Sequence, residues 1–122
     1  MSNKKVLVVD DDPINRKLIV KILSKKGFEA IEAGNGVEAF TALENNDVDL
    51  ILLDIVMPVM DGIEFLKEIK TKPAYINLPI VILTTDDSKK MEAKDLGADD
   101  VIIKPVSAIE LLETIERLFN KP

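Results

Sequence analysis

The chain has 122 residues, of which 47% are hydrophobic and 31% are charged, and its formal net charge is −6. This length predicts a single domain over residues 1–122 that buries about two-thirds of its unfolded surface. No apolar run approaches the roughly 20 residues of a membrane span. The chain has no cysteine and no histidine, which excludes disulfides, thiolate metal sites and histidine-based catalysis and makes a cytoplasmic location the expectation. Its acidic balance argues against direct contact with nucleic acid, which requires a basic surface.

Short apolar runs alternate with helical patterns along the chain. Short apolar runs bounded by turn signals are typical of buried strands in a parallel sheet, and their alternation with helices indicates the α/β fold class. Right-handed crossovers in a chain of this length favour a flavodoxin-like, doubly wound (βα)5 fold with a parallel five-stranded sheet in the order 2-1-3-4-5. The predicted strands are Lys5–Val9, Phe28–Ala33, Val48–Asp54, Pro79–Thr84 and Asp100–Ile103. The predicted helices are Pro13 to a stop at Gly27, Val37–Asn45, Gly62–Lys70, Ser88–Leu96 and one that starts at Ser107.

Apolar positions at helical spacing predict which helix faces are buried. We expect the charges of the fourth helix, together with Asp99 and Asp100, to form a solvated surface. The positions expected to be buried are Ile14, Leu18, Ile19, Ile22 and Leu23 in the first helix, Val37, Phe40 and Leu43 in the second, Ile63, Phe65, Leu66 and Ile69 in the third, and Ile109, Leu112, Ile115, Leu118 and Phe119 in the fifth.

Polar side chains stand where several of the predicted strands end. Open α/β sheets bind their ligands at the carboxyl ends of their strands. The predicted strand order also places the first strand beside the third, so we expect Asp10 and Asp11 to lie near Asp54. The residues concerned are Asp10 to Asp12, Asp54, Thr84 and Thr85, and Lys104.

These carboxylates need a neutralising partner. Carboxylates within about 5 Å repel by about 3 kcal/mol per pair at an effective dielectric constant of about 20. A small set of oxygen ligands suits Mg²⁺, which retains several waters, better than a Ca²⁺ cage made only of protein groups. Lys104 either offsets this acidic cluster or holds phosphoryl oxygens as a point charge, and its bond to Pro105 is a candidate for the cis form. Taken alone, Asp10 to Asp12 also fit a helix cap followed by a solvated turn.

Four segments, VLVVDDDP, LLDIVMPVMDG, LPIVILTT and GADDVIIKP, carry a resemblance to a known family. Together they resemble the receiver domain of two-component response regulators, and the length is similar to the single-domain chemotaxis and sporulation types. The resemblance implies that Asp54 is the phosphoacceptor and that the site holds Mg²⁺. The metal ligands it implies are Asp11, Asp54 and the backbone carbonyl of Val56, with Asp10 acting mainly through a water. The phosphate-binding residues it implies are Thr84, Thr85 and Lys104.

The implied function is phosphorelay signal transduction rather than enzyme turnover, although the domain would assist its own phosphorylation and dephosphorylation. The expected phosphodonor is a histidine kinase or a histidine phosphotransfer protein, docking on the surface from Pro13 to Arg16 beside the acidic site. The expected output is a change in the fourth helix, fifth strand and fifth helix that a downstream effector protein or domain reads. The alternatives are a phosphatase of the haloacid dehalogenase type, with Asp10 and Asp12 as its acidic pair, and a pseudo-receiver that docks partners without phosphorylation.

Departures from the family pattern affect switching and phosphoryl lifetime. Val101 stands where the family commonly has an aromatic residue, three positions before the lysine, so an aromatic-gated switch is not expected and the signal must pass through Thr84 and the loop after it. Val56 and Asp86 occupy the positions that flank the phosphoryl group in family members. Val56 has no polar side-chain atom to orient a hydrolytic water, although Asp86 has one that could, and we expect a comparatively long-lived phosphoryl group.

Replacing Val56 with Asn tests this expectation. Asn supplies an amide that is able to orient water beside the phosphoryl group, so the half-life of the phosphorylated protein should shorten. The measurement is the decay of the phosphorylated mass after the phosphodonor is removed. A decay rate equal to that of the wild type would contradict the interpretation.

Overall fold

A computed structural model describes residues 4–55 and 62–120 and confirms the predicted architecture. Its parallel strands form one sheet in the order β2-β1-β3-β4-β5, which is the flavodoxin-like order expected from the alternation of strands and helices. The strands are β1 (Lys5–Val9), β2 (Glu29–Ala33), β3 (Leu50–Asp54), β4 (Ile80–Thr84) and β5 (Asp100–Ile103). The helices are α1 (Pro13–Lys25), α2 (Gly36–Asn45), α3 (Gly62–Ile69), α4 (Lys90–Asp95) and α5 (Ala108–Phe119), with 3₁₀ turns at Pro73–Tyr75 and Asp87–Lys89.

The helix ends follow the capping rules read from the sequence. Asp12 caps α1 by accepting a hydrogen bond from the backbone N–H of Ile14, and Gly27 follows that helix with φ +86°, a conformation that glycine adopts without strain.

The predicted fourth helix, Ser88–Leu96, is shorter than expected. Its first residues form the 3₁₀ turn Asp87–Lys89, which Asp86 caps by accepting hydrogen bonds from both the N–H and the hydroxyl of Ser88.

Hydrophobic layers cover both faces of the sheet. Successive side chains of a strand point to opposite faces, so Val6 and Val8 pack with α1 and α5 while Leu7 and Val9 pack with α2 and α3. β3 and β4 are buried along their whole lengths, as expected for central strands covered on both sides. Their carboxyl ends are therefore held in fixed positions at one edge of the sheet.

The prediction of the buried helix faces was wrong at positions near the starts of three helices. Ile14, Leu18, Val37 and Ile109 are 82%, 56%, 54% and 72% exposed. The first turn of α1 does face the sheet, since Asn15 contacts Asp10, but these four apolar side chains lie on the outer sides of their helices. Periodicity identifies an apolar stripe but does not show which of its positions face the sheet.

Asp99 and Asp100 are also more engaged than a solvated surface implies. The Asp99 carboxylate accepts a hydrogen bond from the backbone N–H of Ile80 at 2.8 Å. Asp100 forms an ion pair with Arg117 of α5 and lies 4.0 Å from the Lys94 ammonium of α4. Both carboxylates stand at the start of β5, where they connect it to its neighbours.

Gly62 is required by a close approach of two backbone segments. Its N–H donates to the carbonyl of Ile55 at 2.6 Å. A Cβ atom at this position would lie 2.6 Å from the carbonyl oxygen of Asp54 and 2.6 Å from the Cα of Ile55, a separation that packed atoms do not tolerate. The glycine therefore lets α3 begin directly against the end of β3.

Substituting Gly62 with Ala should destabilise the fold, because the added methyl group meets backbone atoms that cannot turn away. Overpacking of this kind costs about 1–3 kcal/mol of unfolding free energy, measured by urea denaturation. Gly34→Ala is the control, since its nearest neighbours are the side-chain ends of Glu38 and Arg16, at 3.2 and 3.7 Å. Equal losses in the two variants would contradict the prediction.

Candidate functional site

The acidic cluster predicted from the sequence forms at the carboxyl edge of the sheet. β1 pairs with β3 in a register that sets Val9 opposite Leu53, so the residue after β1 and the last residue of β3 are neighbours. Asp10, Asp11 and Asp54 each present one carboxylate oxygen, and these oxygens lie within 4.8 Å of one another. Asp10 is fully buried and Asp54 is 6% exposed, whereas Asp11 is open to solvent.

Lys104 is the positive charge closest to this cluster in the described part of the chain. Its Nζ lies 3.4 Å from Oδ2 of Asp54 and 3.8 Å from Oδ2 of Asp10. The backbone N–H of Lys104 donates to the carbonyl of Thr84 at 2.8 Å, and the Lys104–Pro105 bond is cis, as considered from the sequence. Because a buried carboxylate is costly without a partner, the ammonium group stabilises both acidic side chains.

Every polar group of Asp10 has a hydrogen-bonding partner. Its carboxylate accepts from the N–H of Asp12 at Oδ1 (2.9 Å) and from Nδ2 of Asn15 at Oδ2 (2.5 Å). Its backbone carbonyl accepts from Nη1 of Arg16 at 2.7 Å, and its N–H donates to the carbonyl of Ala33. Asp10 is therefore held in one orientation by the first turn of α1.

A charged network supports Arg16 from the neighbouring strand. Nε of Arg16 lies 2.8 Å from Oε1 of Glu32, and Nζ of Lys17 lies 2.9 Å from Oε2 of the same residue. Hydrogen bonds from Lys17 and then Arg16 lower the pKa of the Glu32 carboxyl below its ordinary value. Glu32 pairs with Val8 in the register of β1 and β2, and this position brings it under α1.

Sequence reasoning missed this supporting role. Asn15 and Arg16 were included only in the expected docking surface for a phosphodonor, and Glu32 was not singled out. The available signals were a charged residue in the interior of a predicted strand and two polar side chains in the helical turn directly after the aspartates.

The end of β4 supplies hydroxyl groups at the same edge. Thr84 is 3% exposed, and its Oγ1 accepts a hydrogen bond from the N–H of Asp86 at 3.0 Å, whereas Thr85 is exposed. The carboxylate of Asp86 is bound to Ser88, whose hydroxyl is the main cause of a lowered pKa for Asp86. These contacts occupy Oδ1 of Asp86, the side chain expected from the sequence to be able to orient water.

Val101 and Val56 are two positions at which the sequence departs from the family pattern. Val101 is buried in the core, at 6% exposure. Val56, whose backbone carbonyl was expected to bind metal, lies outside the described residues.

The donor set fits a hard divalent cation. Its groups are all carboxylate oxygens, and the exposure of Asp11 leaves room for coordinated water. Mg²⁺ prefers this combination of few protein oxygens and several waters. Asp10, Asp11 and Asp54 are thus the described residues able to hold such an ion.

Comparison with known proteins agrees with this geometry. The family model of the response regulator receiver domain matches residues 6–116. The chemotaxis protein CheY of Bacillus subtilis is 39% identical over 95% of this chain and 98% of its own. The phosphate regulon regulator PhoB of Pseudomonas aeruginosa is 33% identical over 99% of this chain but only 54% of its own. The chain thus spans nearly all of one relative and about half of the other.

Solved structures show the same architecture. The chemotaxis protein CheY4 of Vibrio cholerae superposes with a TM-score of 0.90 at 36% identity, over 96% of this chain and 99% of its own. The receiver domain of a Pseudomonas aeruginosa sensor histidine kinase superposes with a TM-score of 0.90 at 26% identity, over 98% and 100%. That domain was solved with a magnesium ion coordinated in its active-site cleft.

The match to the receiver family, on a doubly wound sheet with an acidic carboxyl edge, identifies a phosphorelay signalling module and does not favour a phosphatase. The chain belongs to the response regulator receiver domain family. Receiver domains are signalling modules, not classical enzymes; they bind Mg²⁺ at an acidic site, and response regulators interact with histidine kinases and downstream effectors. In the described ranges, no helix combines the length and apolar character needed to cross a bilayer.

The lowered pKa of Glu32 predicts how this carboxyl contributes to stability at different pH values. A carboxyl with a lower pKa in the folded state stabilises the fold fully above its ordinary pKa of 4.5, and this stabilisation is lost as the pH falls through the folded-state pKa. Glu32→Gln should therefore lower the unfolding free energy at pH 7 by about 0.2–1 kcal/mol, and the difference from wild type should vanish in acid. Urea denaturation across this pH range measures it, with exposed Glu29→Gln of the same strand as the control. A pH-independent difference would contradict the assignment.

Proposed function

We propose that Asp54 accepts a phosphoryl group and that Asp10, Asp11, Thr84, Thr85 and Lys104 complete the site. The observation that carries the proposal is the position of the Asp54 carboxylate. It is buried at the end of a central strand, shares its surroundings with two other carboxylates, and lies 3.4 Å from the Lys104 ammonium. A carboxylate placed this way is a nucleophile held in one position beside a cation.

The proposed step transfers a phosphoryl group from a histidine nitrogen of the donor to a carboxylate oxygen of Asp54. An oxygen of Asp54 forms the new bond to phosphorus while the phosphorus–nitrogen bond of a phosphohistidine breaks, and its electron pair stays on the imidazole nitrogen. With a small acyl phosphate as the donor, its phosphorus–oxygen bond to the acyl group breaks instead, and the donor's own carboxylate leaves with the electron pair. Such transfer depends mainly on positioning and charge neutralisation, so the absence of histidine from this chain is no obstacle.

Charge is the main obstacle to this step, because the incoming group is an anion that approaches carboxylates. Mg²⁺ held by Asp10, Asp11 and Asp54 would supply the neutralising charge when bound, and the similar histidine kinase receiver domain was solved with magnesium coordinated in its active-site cleft. Lys104 would contribute a second positive charge to the phosphoryl oxygens. The Thr84 hydroxyl, now accepting from the N–H of Asp86, would donate to one of those oxygens, and the exposed Thr85 follows it in the chain.

The proposed docking surface for the phosphodonor is the outer side of the first turns of α1. Ile14 and Leu18 are 82% and 56% exposed, and Pro13 is exposed beside them. This surface adjoins the acidic edge, since the residues just before it are Asp10 and Asp11. A histidine kinase or a histidine phosphotransfer protein that covers these side chains would bring its phosphohistidine to Asp54.

The proposed output is a change of α4, β5 and α5 that an effector protein or domain reads. New phosphoryl oxygens would draw Thr84 and Lys104 inward. Because Val101 is small and buried, the change would spread through Thr84 and the segment after it.

Intact mass spectrometry tests the phosphoacceptor directly. Wild-type protein incubated with Mg²⁺ and acetyl phosphate should gain the mass of one phosphoryl group, and Asp54→Asn should gain none, because the amide is not a competent nucleophile. Asp47→Asn is the matched control: it makes the same chemical change at an exposed position and should be phosphorylated like the wild type.

Two results would overturn the proposal. A phosphoryl group that persists in Asp54→Asn would place the acceptor elsewhere. Wild-type protein that gains nothing from acetyl phosphate or from phosphorylated histidine kinases would favour the module that docks partners without phosphorylation.

A further inference from the structure

We propose that Asn15 is a positioning residue that sets the metal affinity of the site by holding the Asp10 carboxylate. The inference rests on the proposed function, because it concerns the metal site which that function uses. It assigns to the inner side of α1 a role separate from docking. Asn15 touches neither the phosphoryl group nor the metal in this proposal and acts only through Asp10.

The first observation is that two donors compete for one oxygen. Oδ2 of Asp10 accepts from Nδ2 of Asn15 at 2.5 Å, while the Lys104 ammonium lies 3.8 Å from the same atom. The amide makes the short contact with this oxygen, and the Lys104 ammonium stands farther from it than in a close ion pair. The Lys104 ammonium lies nearer to Asp54, at 3.4 Å.

The second observation is that the backbone of Asp10 is fixed independently. Arg16 holds its carbonyl at 2.7 Å and is itself held by Glu32 at 2.8 Å. The N–H of Asp12 also donates to Oδ1 of Asp10. The remaining motion of the Asp10 side chain is a rotation of its carboxylate that moves Oδ2. Asn15 is the residue that restricts this turn.

Removing the amide has a defined consequence for metal binding. Without Asn15, the Asp10 carboxylate would turn toward Lys104 and shorten the existing 3.8 Å contact to a close ion pair, and an incoming cation would have to break that pair. Residues that orient metal ligands through hydrogen bonds commonly change metal affinity about 10- to 100-fold when they are removed. Asn15→Ala should therefore raise the Kd for Mg²⁺ by about tenfold or more.

Isothermal titration calorimetry with Mg²⁺ measures the Kd without reference to phosphorylation. Mn²⁺, which accepts the same oxygen ligands, gives an independent value through the electron paramagnetic resonance signal of the free ion. Circular dichroism at the titration temperature ensures that each variant is fully folded. A merely structural role would lower thermal stability and leave the Kd of the folded protein unchanged. Alanine is also the better helix former, so the substitution does not weaken α1 by propensity.

Two further variants make the test specific. Asn15→Gln keeps an amide donor and should recover part of the affinity. Asn45→Ala removes an asparagine whose Nδ2 donates to the carbonyl of Thr41 in α2, away from the metal site, and should leave the Kd unchanged.

The outcomes separate this inference from the proposed function. An unchanged Kd in Asn15→Ala, an equal rise in Asn45→Ala, or no recovery in Asn15→Gln would overturn the role of the Asn15 donor. Wild-type protein that binds no Mg²⁺ would overturn the metal site and this inference together. Wild-type protein that binds Mg²⁺ but is never phosphorylated would overturn the phosphoacceptor proposal alone, and the Kd of Asn15→Ala would still decide the role of Asn15.

Discussion

The crowding of three carboxylates at one edge of the sheet is the constraint on which the site depends. Asp10, Asp11 and Asp54 bring oxygens within 4.8 Å of one another, and each such pair repels by about 3 kcal/mol at an effective dielectric constant of about 20. The strands hold them there because β1 and β3 are adjacent and buried. Lys104 and Asn15 reduce the cost by giving the buried oxygens partners. The site thus combines a destabilising charge arrangement with a scaffold rigid enough to maintain it.

The features that follow from strand order could be predicted from the sequence. Those that depend on helix orientation, on a side-chain rotamer or on a backbone separation could not. Adjacent parallel strands end together, so the approach of Asp10 and Asp54 followed once the runs of apolar residues were recognised as strands. The exposure of Ile14 could not be predicted, because a helical period does not show which apolar positions face away from the sheet. The contact of Asn15 with Asp10 depends on a side-chain rotamer, and the close packing of Gly62 depends on a backbone separation. Neither quantity is encoded in residue spacing.

The first turns of α1 have two sides with different surroundings. On the outer side, Ile14 and Leu18 are exposed apolar groups. On the inner side, Asn15 and Arg16 hold the carboxylate and the carbonyl of Asp10. A partner that covers the outer side therefore packs on the same helical turns whose side chains hold Asp10. Under the proposed function, docking of the phosphodonor and preparation of the metal site involve one structural element and are expected to influence each other.

Hydrogen bonds at the end of β4 provide a path by which the proposed signal would leave the site. The Thr84 hydroxyl accepts from the N–H of Asp86, and the Asp86 carboxylate in turn caps the 3₁₀ turn that leads into α4. If Thr84 turns toward phosphoryl oxygens, the Asp86 N–H loses its acceptor and the cap loses its support. The backbone N–H of Lys104 donates to the carbonyl of Thr84, which joins the segment after β5 to the end of β4. Under the proposed function, a path of this kind would couple the site to α4 without an aromatic side chain at the position of the buried Val101.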